Sequence, residues 1–370
     1  MKIFMFPGQG SQAKEMGAGL FESYPELTAK ADAILGYSIR ELCMEDPREE
    51  LNKTQFTQPA LYVVNALSYF RKVEEAGQPD FLAGHSLGEF NALMAAGCFD
   101  FETGLRLVQK RGELMAQIFG GGMAAIVNAS SDHIAEVLKA NGLNNVYMAN
   151  FNAPLQTVIS GLYAEVASAE PHFQMQGKMR FYPLATSGAF HSAYMQEAME
   201  QFRSYLRDVA FAAPSIPVVA NVSARPYEAG AMLDTLASQI ASTVRWSDSV
   251  QYLMALAHAR GVTPEFIECG HGDVLTRMAF TIKAQTPQAE IERLAAGHKA
   301  PSAPIVIGGA AAKVSAFRQQ FPVGSKMISS AGGYGELETR TEPVVLFGHR
   351  AAVYMKGYKG YFDLDELTPA

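Results

Sequence analysis

A serine hydroxyl becomes a nucleophile only when a base takes its proton. The stretch Gly84-His85-Ser86-Leu87-Gly88-Glu89 sets a serine where this can happen. G-x-S-x-G on a sharp strand-to-helix turn displays the serine at the start of a helix, whose free N–H groups face the space above it. Two histidines are candidates for the base. His191, in Ala189-Phe190-His191-Ser192, follows a strand and opens a helix, the kind of junction where functional groups are displayed. Its plainer reading is a helix-start histidine in water. His271, in Glu268-Cys269-Gly270-His271-Gly272, lies on a loop after a strand and comes second. His85 adjoins Ser86, but its side chain is expected to diverge. Between Ser86 and His191 the acids Asp100, Asp132, Glu165 and Glu170 read as helix caps or exposed helix positions, so no triad carboxylate stands out. A backbone carbonyl could orient the imidazole in its place.

The third chemical group is Arg111. The helix predicted over residues 101–118 carries Leu105, Val108 and Met115 in one apolar stripe, extended by Leu107, Leu114 and Ile118. Glu102, Arg106, Lys110, Glu113 and Gln117 fill the opposite face, and Arg111 falls among Leu107, Leu114 and Ile118. A guanidinium on the buried side of a helix is costly unless an anion meets it, and its planar fork suits a carboxylate. It could equally snorkel to the edge or pair with an internal acid. Because this helix follows the one launched by the Ser86 turn, Arg111 is placed to face the serine and read an acidic acyl group.

These groups need a scaffold. Ile3 to Phe6 reads as a first strand, followed by the Gly-rich turn Pro7-Gly8-Gln9-Gly10-Ser11-Gln12 and then helices, one of them over residues 61–75. The turn also fits G-x-G-x-x-A, but no second strand ends in an acid about 20 residues on, which argues against a dinucleotide. A backbone N–H of this turn can instead complete an oxyanion hole with that of Leu87. Residues 80–83 read as the strand before Ser86. From residue 123 the pattern becomes strand 123–127, helix 131–140, strand 146–150, strand 157–160, helix 163–176 and strand 180–184, a ferredoxin-like βαββαβ insert. Helical periodicity returns over 195–209, then a strand at 218–221, a helix near 233–241 and a strand at 265–268. The fold class expected is therefore α/β: a large α/β-hydrolase-like domain over 1–121 and 189–296, a small subdomain over 122–188, and a C-terminal extension over 297–370 entered through the Pro301–Pro304 stretch.

Composition narrows the function classes. The 370 residues are 48% hydrophobic and 18% charged, with net charge −7 and no concentrated basic block, which argues against nucleic-acid binding. No apolar run reaches the roughly 18 residues of a membrane span, and none at the start suits a signal peptide, so a cytoplasmic location is expected. Cys43, Cys98 and Cys269 are far apart and match no metal spacing. No metal site is expected.

Taken together these stretches resemble the malonyl-CoA:acyl carrier protein transacylase family, most closely the trans-acting acyltransferases of polyketide synthases. The resemblance runs over about residues 1–296. It rests on Phe6 to Gln12, Gly84 to Glu89, Gln109-Lys110-Arg111-Gly112, Asn150 to Gln156, Ala189-Phe190-His191-Ser192, Val244-Arg245-Trp246 and Glu268 to Gly272. It implies Ser86 as the acylated nucleophile, His191 as general base and acid, the Gln9 and Leu87 N–H groups as oxyanion hole, and Arg111 as clamp for the malonyl carboxylate. It also implies a carbonyl near Arg245 holding His191, and Phe190 as the mark of malonyl over branched extender units. One departure is Gly270-His271-Gly272, where the family commonly has Gly-Pro-Gly. The tail faintly resembles the opening segment of enoyl reductases fused behind such acyltransferases. The expected activity is ping-pong transfer of malonyl from malonyl-CoA to the phosphopantetheine thiol of an acyl carrier protein, with no cofactor on the enzyme itself. The rivals are an editing acyl hydrolase using the same Ser86 and His191, and a non-catalytic module that binds carrier proteins.

Overall fold

The computed structural model describes residues 1–174, 178–186, 188–228, 230–297, 310–330, 334–346, 350–358 and 361–370. The chain opens with β1 (Lys2–Phe6), α1 (Pro25–Leu35), α2 (Ile39–Met44), α3 (Thr54–Ala76), β2 (Phe81–Gly84), α4 (Gly88–Ala95) and α5 (Phe101–Ala116). After an inserted unit it continues with α8 (Gln196–Leu206), β7 (Val218–Val219), α9 (Met232–Ser238), α10 (Trp246–Ala259), β8 (Glu265–Glu268), α11 (Val274–Gln285) and α12 (Gln288–Ala296). The insert itself holds β3 (Gly121–Val127), α6 (Ser131–Ala140), β4 (Tyr147–Ala153), β5 (Gln156–Leu162), α7 (Tyr163–Gln174) and β6 (Arg180–Pro183).

The central sheet is parallel in the order β7-β2-β1-β8, with Phe6 opposite Gly84 and Met5 opposite Glu268. Helices cover both faces, which is why the strands read as apolar runs rather than alternating ones. Side-chain alternation divides β1 between two cores. Phe4 and Phe6 join Leu82 and the buried faces of α3, α4 and α5, while Ile3 and Met5 join Phe81, Ala83, Trp246 and Leu253 on the other side. The carboxyl ends of β1 and β2 therefore lie side by side in the middle of the sheet, where open α/β sheets hold their ligands.

The insert is an antiparallel sheet in the order β4-β5-β3-β6. One face packs under α6 and α7 through Ala124, Ile126, Ile134, Ile159 and Phe173. The alternate residues Met123, Ala125 and Val158 pack into the main core. Backbone bonds from Phe151 N to Val244 O (2.9 Å) and Val244 N to Ala149 O (2.8 Å) tie the insert to the segment entering α10.

The tail contributes α13 (Ala310–Gln320), β9 (Lys326–Ser329), β10 (Leu337–Glu338), β11 (Val344–Leu346), β12 (Arg350–Tyr354), β13 (Tyr361–Asp363) and β14 (Leu367–Pro369), in two three-stranded antiparallel sheets. Val314, Phe317, Met327, Val353, Met355 and Phe362 form a core of its own. Tyr354 leaves that core and is fully buried in the main one. Beside it Arg340 reaches Glu74, at the far end of α3 from Thr54, at 2.6 Å. The expected linker stretch Pro301–Pro304 lies outside the described residues. Among the described residues no helix is long and apolar enough to cross a membrane.

Candidate active site

β2 ends at Gly84 and α4 begins at Gly88, so the chain reverses over three residues. Backbone must then touch backbone. A Cβ on Gly84 would sit 2.0 Å from the carbonyl carbon of Gly88, and one on Gly88 would sit 1.9 Å from the carbonyl oxygen of Phe6. At the apex Ser86 adopts φ 51°, in the left-handed region that a side chain rarely enters. Asn221, just beyond β7, holds the turn from both ends. Its Oδ1 accepts from Ser86 N at 2.7 Å and its Nδ2 donates to Gly84 O at 2.6 Å.

His191 completes the pair across 105 residues of chain: its Nε2 lies 2.8 Å from Ser86 Oγ. Its Nδ1 faces two carbonyl oxygens, Gln239 O at 2.9 Å and Ser242 O at 3.1 Å. Both can only accept, so Nδ1 carries the proton and Nε2 is left bare to accept from the serine. Burial, and then the Arg111 charge, push His191 down to about 3, so the ring is neutral at physiological pH. The orienting carbonyls are not that of Arg245, as the resemblance implied. Arg245 precedes α10, and its carbonyl is taken by the first turn of that helix through Ser249, while its guanidinium pairs with Asp248 at 2.7 Å.

Arg111 is 1% exposed, buried in the interior rather than snorkelling to the surface. Nη1 donates to Gln58 Oε1 at 2.8 Å; Nη2 donates to Gln239 Oε1 at 2.8 Å and to Ser86 Oγ at 3.1 Å. Its guanidinium carbon lies over the Phe90 ring, 5.5 Å from the ring centre. Among the described residues no carboxylate is in salt-bridge contact with Arg111, and its buried Nε has no partner. Burial lowers Arg111 to about 10. The acid within Coulombic reach is Glu89, fully buried, whose carboxylate accepts from Tyr227 Oη at 2.5 Å and Gln239 Nε2 at 2.7 Å. Burial raises it to about 7.

Of the other residues singled out in the sequence, the Gly8-Gln9 turn, Leu87, His85 and Phe190 lie around this centre, and among the described residues His271 makes no hydrogen bond with it. The Gly8-Gln9 turn presses on the serine turn: a Cβ on Gly8 would meet His85 O at 2.4 Å and Leu87 N at 3.6 Å. Gln9 Nε2 donates to Thr54 Oγ1 at 3.2 Å. Phe190 is buried, and with Gln9, Thr54, Met115, Phe119 and Gly188 it lines a cavity of about 390 Å³. His85 turns away from Ser86, with Nε2 2.8 Å from Asn152 Oδ1. Asn221, Gln58, Gln239, Glu89 and Tyr227 were not singled out as site residues from sequence. Only Glu89 carried a signal, as the last residue of the serine stretch. Among the described residues no group of three or more His, Cys, Asp or Glu is placed to hold a metal ion.

Residues 3–284 match the family described as acyl transferase domain. Over 285 residues the chain is 53% identical to a polyketide biosynthesis malonyl CoA-acyl carrier protein transacylase, PksC, of Bacillus subtilis, a match covering 76% of this chain and 97% of that protein. The solved structure of malonyl CoA-acyl carrier protein transacylase from Burkholderia pseudomallei is 60% identical with a TM-score of 0.76, covering 78% of this chain and 99% of that one. A second similar structure holds a type II PKS acyl-carrier protein in complex with its malonyl-transacylase. It is 34% identical with a TM-score of 0.71, covering 80% of this chain and 99% of that chain.

Proposed function

The chain belongs to the acyl transferase domain family, and on that premise we propose that it moves a malonyl group from malonyl-CoA to the phosphopantetheine thiol of an acyl carrier protein, in trans, for a polyketide synthase. The observation that carries this reading is the 3.1 Å contact between Arg111 Nη2 and Ser86 Oγ. A buried guanidinium without a carboxylate partner stands beside a histidine-bonded serine, which suits an acyl group that ends in a carboxylate.

The reaction has two halves. Ser86 Oγ attacks the thioester carbonyl while its proton passes to His191 Nε2. The carbonyl π electrons move onto oxygen, where the N–H groups of Gln9 and Leu87 receive the charge. Collapse of the tetrahedral species breaks the C–S bond, and the coenzyme A sulfur leaves with the proton from His191. In the second half the carrier's thiol gives its proton to His191 and attacks the malonyl ester. Ser86 departs as alkoxide and regains the proton. The carbonyls of Gln239 and Ser242 hold the imidazole and stabilise its transient cation less than a carboxylate would. Transfer between two thioesters is redox-neutral, so this reading asks for no cofactor beyond the arm on the partner.

The same reading assigns residues 1–121 and 189–296 to a large α/β-hydrolase-like domain, 122–188 to a ferredoxin-like subdomain and 297–370 to an extension. Phe190 limits the acyl group to malonyl, and the protein works in the cytoplasm. An editing hydrolase has to accept uncharged acyl groups, which would leave the Arg111 charge buried without an anion. Intact mass after brief mixing with malonyl-CoA, with acetyl-CoA and Ser86→Ala as controls, tests the proposal. A malonyl adduct on the native chain alone is expected. An acetyl adduct in its place, or rapid loss to water, would overturn the reading in favour of hydrolysis.

A further inference from the structure

The Gln239 side chain touches every charged group at the centre of the site. Its Nε2 lies 2.7 Å from Glu89 Oε2 and 2.8 Å from Ser86 O, and its Oε1 lies 2.8 Å from Arg111 Nη2. The Ser86 carbonyl can only accept and the Arg111 guanidinium can only donate, which fixes the amide: nitrogen toward Ser86 O and Glu89, oxygen toward Arg111. The side chain thus stands between a buried acid and a buried base, and it is itself fully buried. Without that spacer, a carboxylate and a guanidinium in so low a dielectric would attract each other strongly. Direct contact would fill the donors that a substrate carboxylate needs.

We propose that the side chain of Gln239 is a specificity-positioning residue: it keeps Glu89 from pairing directly with Arg111, so that the guanidinium stays oriented and open toward an acidic acyl group. Glu89 still balances the Arg111 charge at one remove, through the polarised amide, and its own second oxygen is occupied by Tyr227 and by Asn221 N at 3.3 Å. This is separate from the Gln239 carbonyl, which holds His191 and survives any substitution of the side chain. The inference rests on the reading of Arg111 as a carboxylate clamp.

The test is the ratio of kcat/KM for acylation by malonyl-CoA to that by acetyl-CoA. Gln239→Met keeps the bulk, removes both hydrogen-bonding ends and lets Glu89 reach Arg111. We expect the ratio to fall at least tenfold, with the larger loss in acylation by malonyl-CoA. Adding Glu89→Gln to Gln239→Met should restore the ratio at least threefold, because the competing carboxylate is gone. A purely structural role for Gln239 predicts the opposite, since a second core change compounds the first. A ratio unchanged in Gln239→Met, or lower still in the double variant, overturns the proposal. Should Gln239→Met not fold, Gln239→Asn, whose amide is too short to span both contacts, is held to the same tenfold fall. Arg111→Ala separates the two failures. If it leaves the ratio intact, the clamp reading itself falls; if it abolishes the ratio while Gln239→Met does not, only the spacer is wrong.

Discussion

Ser86 and His191, hydrogen-bonded to each other at 2.8 Å, both hold their backbones in the left-handed region, with φ of 51° and 56°. Neither is glycine, so each carries a backbone cost of about 1–2 kcal/mol that the surrounding packing must hold in place. For Ser86 the hold is visible in Asn221 and in the backbone contacts at Gly84 and Gly88. The strain aims two side chains from distant elements at one point.

Ser86→Gly and Ser86→Ala should therefore differ in stability though both lose acylation. Each removes the hydroxyl bonded to His191 and Arg111, but only glycine relieves the left-handed backbone. Urea unfolding is expected to find Ser86→Gly more stable than Ser86→Ala by about 1 kcal/mol. Equal midpoints would mean that the turn stores no strain.

Arg111→Ala tests the clamp by chemistry rather than by stability. Removing a charge-assisted contact made to malonyl and not to acetyl should cost malonyl transfer about two orders of magnitude or more. Acetyl transfer should hold or rise. Steady-state kinetics with both thioesters decide it, and equal losses would show that Arg111 serves the fold alone.

The pH dependence follows from two buried groups with opposite signs. His191 is held down to about 3, so malonylation of Ser86 should show no inflection near the ordinary histidine value of 6.5; the rate of single-turnover acylation between pH 5 and 8 checks this. For stability, His191 has a folded value below its unfolded one. Its contribution is present above about 6.5 and lost as pH falls toward about 3. Glu89 is raised to about 7, so its contribution is full below about 4.5 and lost as pH rises through 7. The two slopes oppose each other between pH 4.5 and 6.5. His191→Gln removes one of them, and unfolding midpoints at those two pH values should show the variant retaining more of its stability on acidification than the native chain.

The serine, the histidine and the arginine were legible because each leaves a local mark: a glycine-framed turn, a strand-helix junction, a charge on the wrong side of an amphipathic wheel. The insert was legible for the same reason, with β3 to β6 each within a few residues of the expected strands. Gln239 and Asn221 left no mark. They act on Ser86 from 153 and 135 residues away, and an amide or a backbone carbonyl carries no periodicity that would set it apart from solvent-facing neighbours. The naming of Arg245 for the His191 support, where Gln239 and Ser242 supply the carbonyls, has the same origin, since any carbonyl over residues 239–245 is chemically alike until the path of the chain is known. In the tail, strands of two to five residues are too short for alternation to show.

The seat of the tail on the body makes a last prediction, and it turns on one hydroxyl. Tyr354 is fully buried beside Tyr24 and Tyr69, and its Oη has no hydrogen-bond partner among the described residues. A buried hydroxyl without a partner costs about 1–3 kcal/mol, so removing it while keeping the ring should not destabilise. Tyr354→Phe is expected to raise the stability of the full chain by about 1 kcal/mol, whereas Tyr354→Ala, which empties the socket, should cost about 3–5 kcal/mol. The neighbouring Arg340–Glu74 pair is partly open to water, and Arg340→Ala should cost no more than about 1 kcal/mol. Because this seat lies at the end of α3 remote from Thr54 and the cavity that Thr54 lines with Gln9 and Phe190, none of the three should change single-turnover malonylation. Urea unfolding read beside acylation checks the set. A Tyr354→Phe chain that loses stability would show that the hydroxyl is bonded, and a fall in acylation would show that the tail reaches the site.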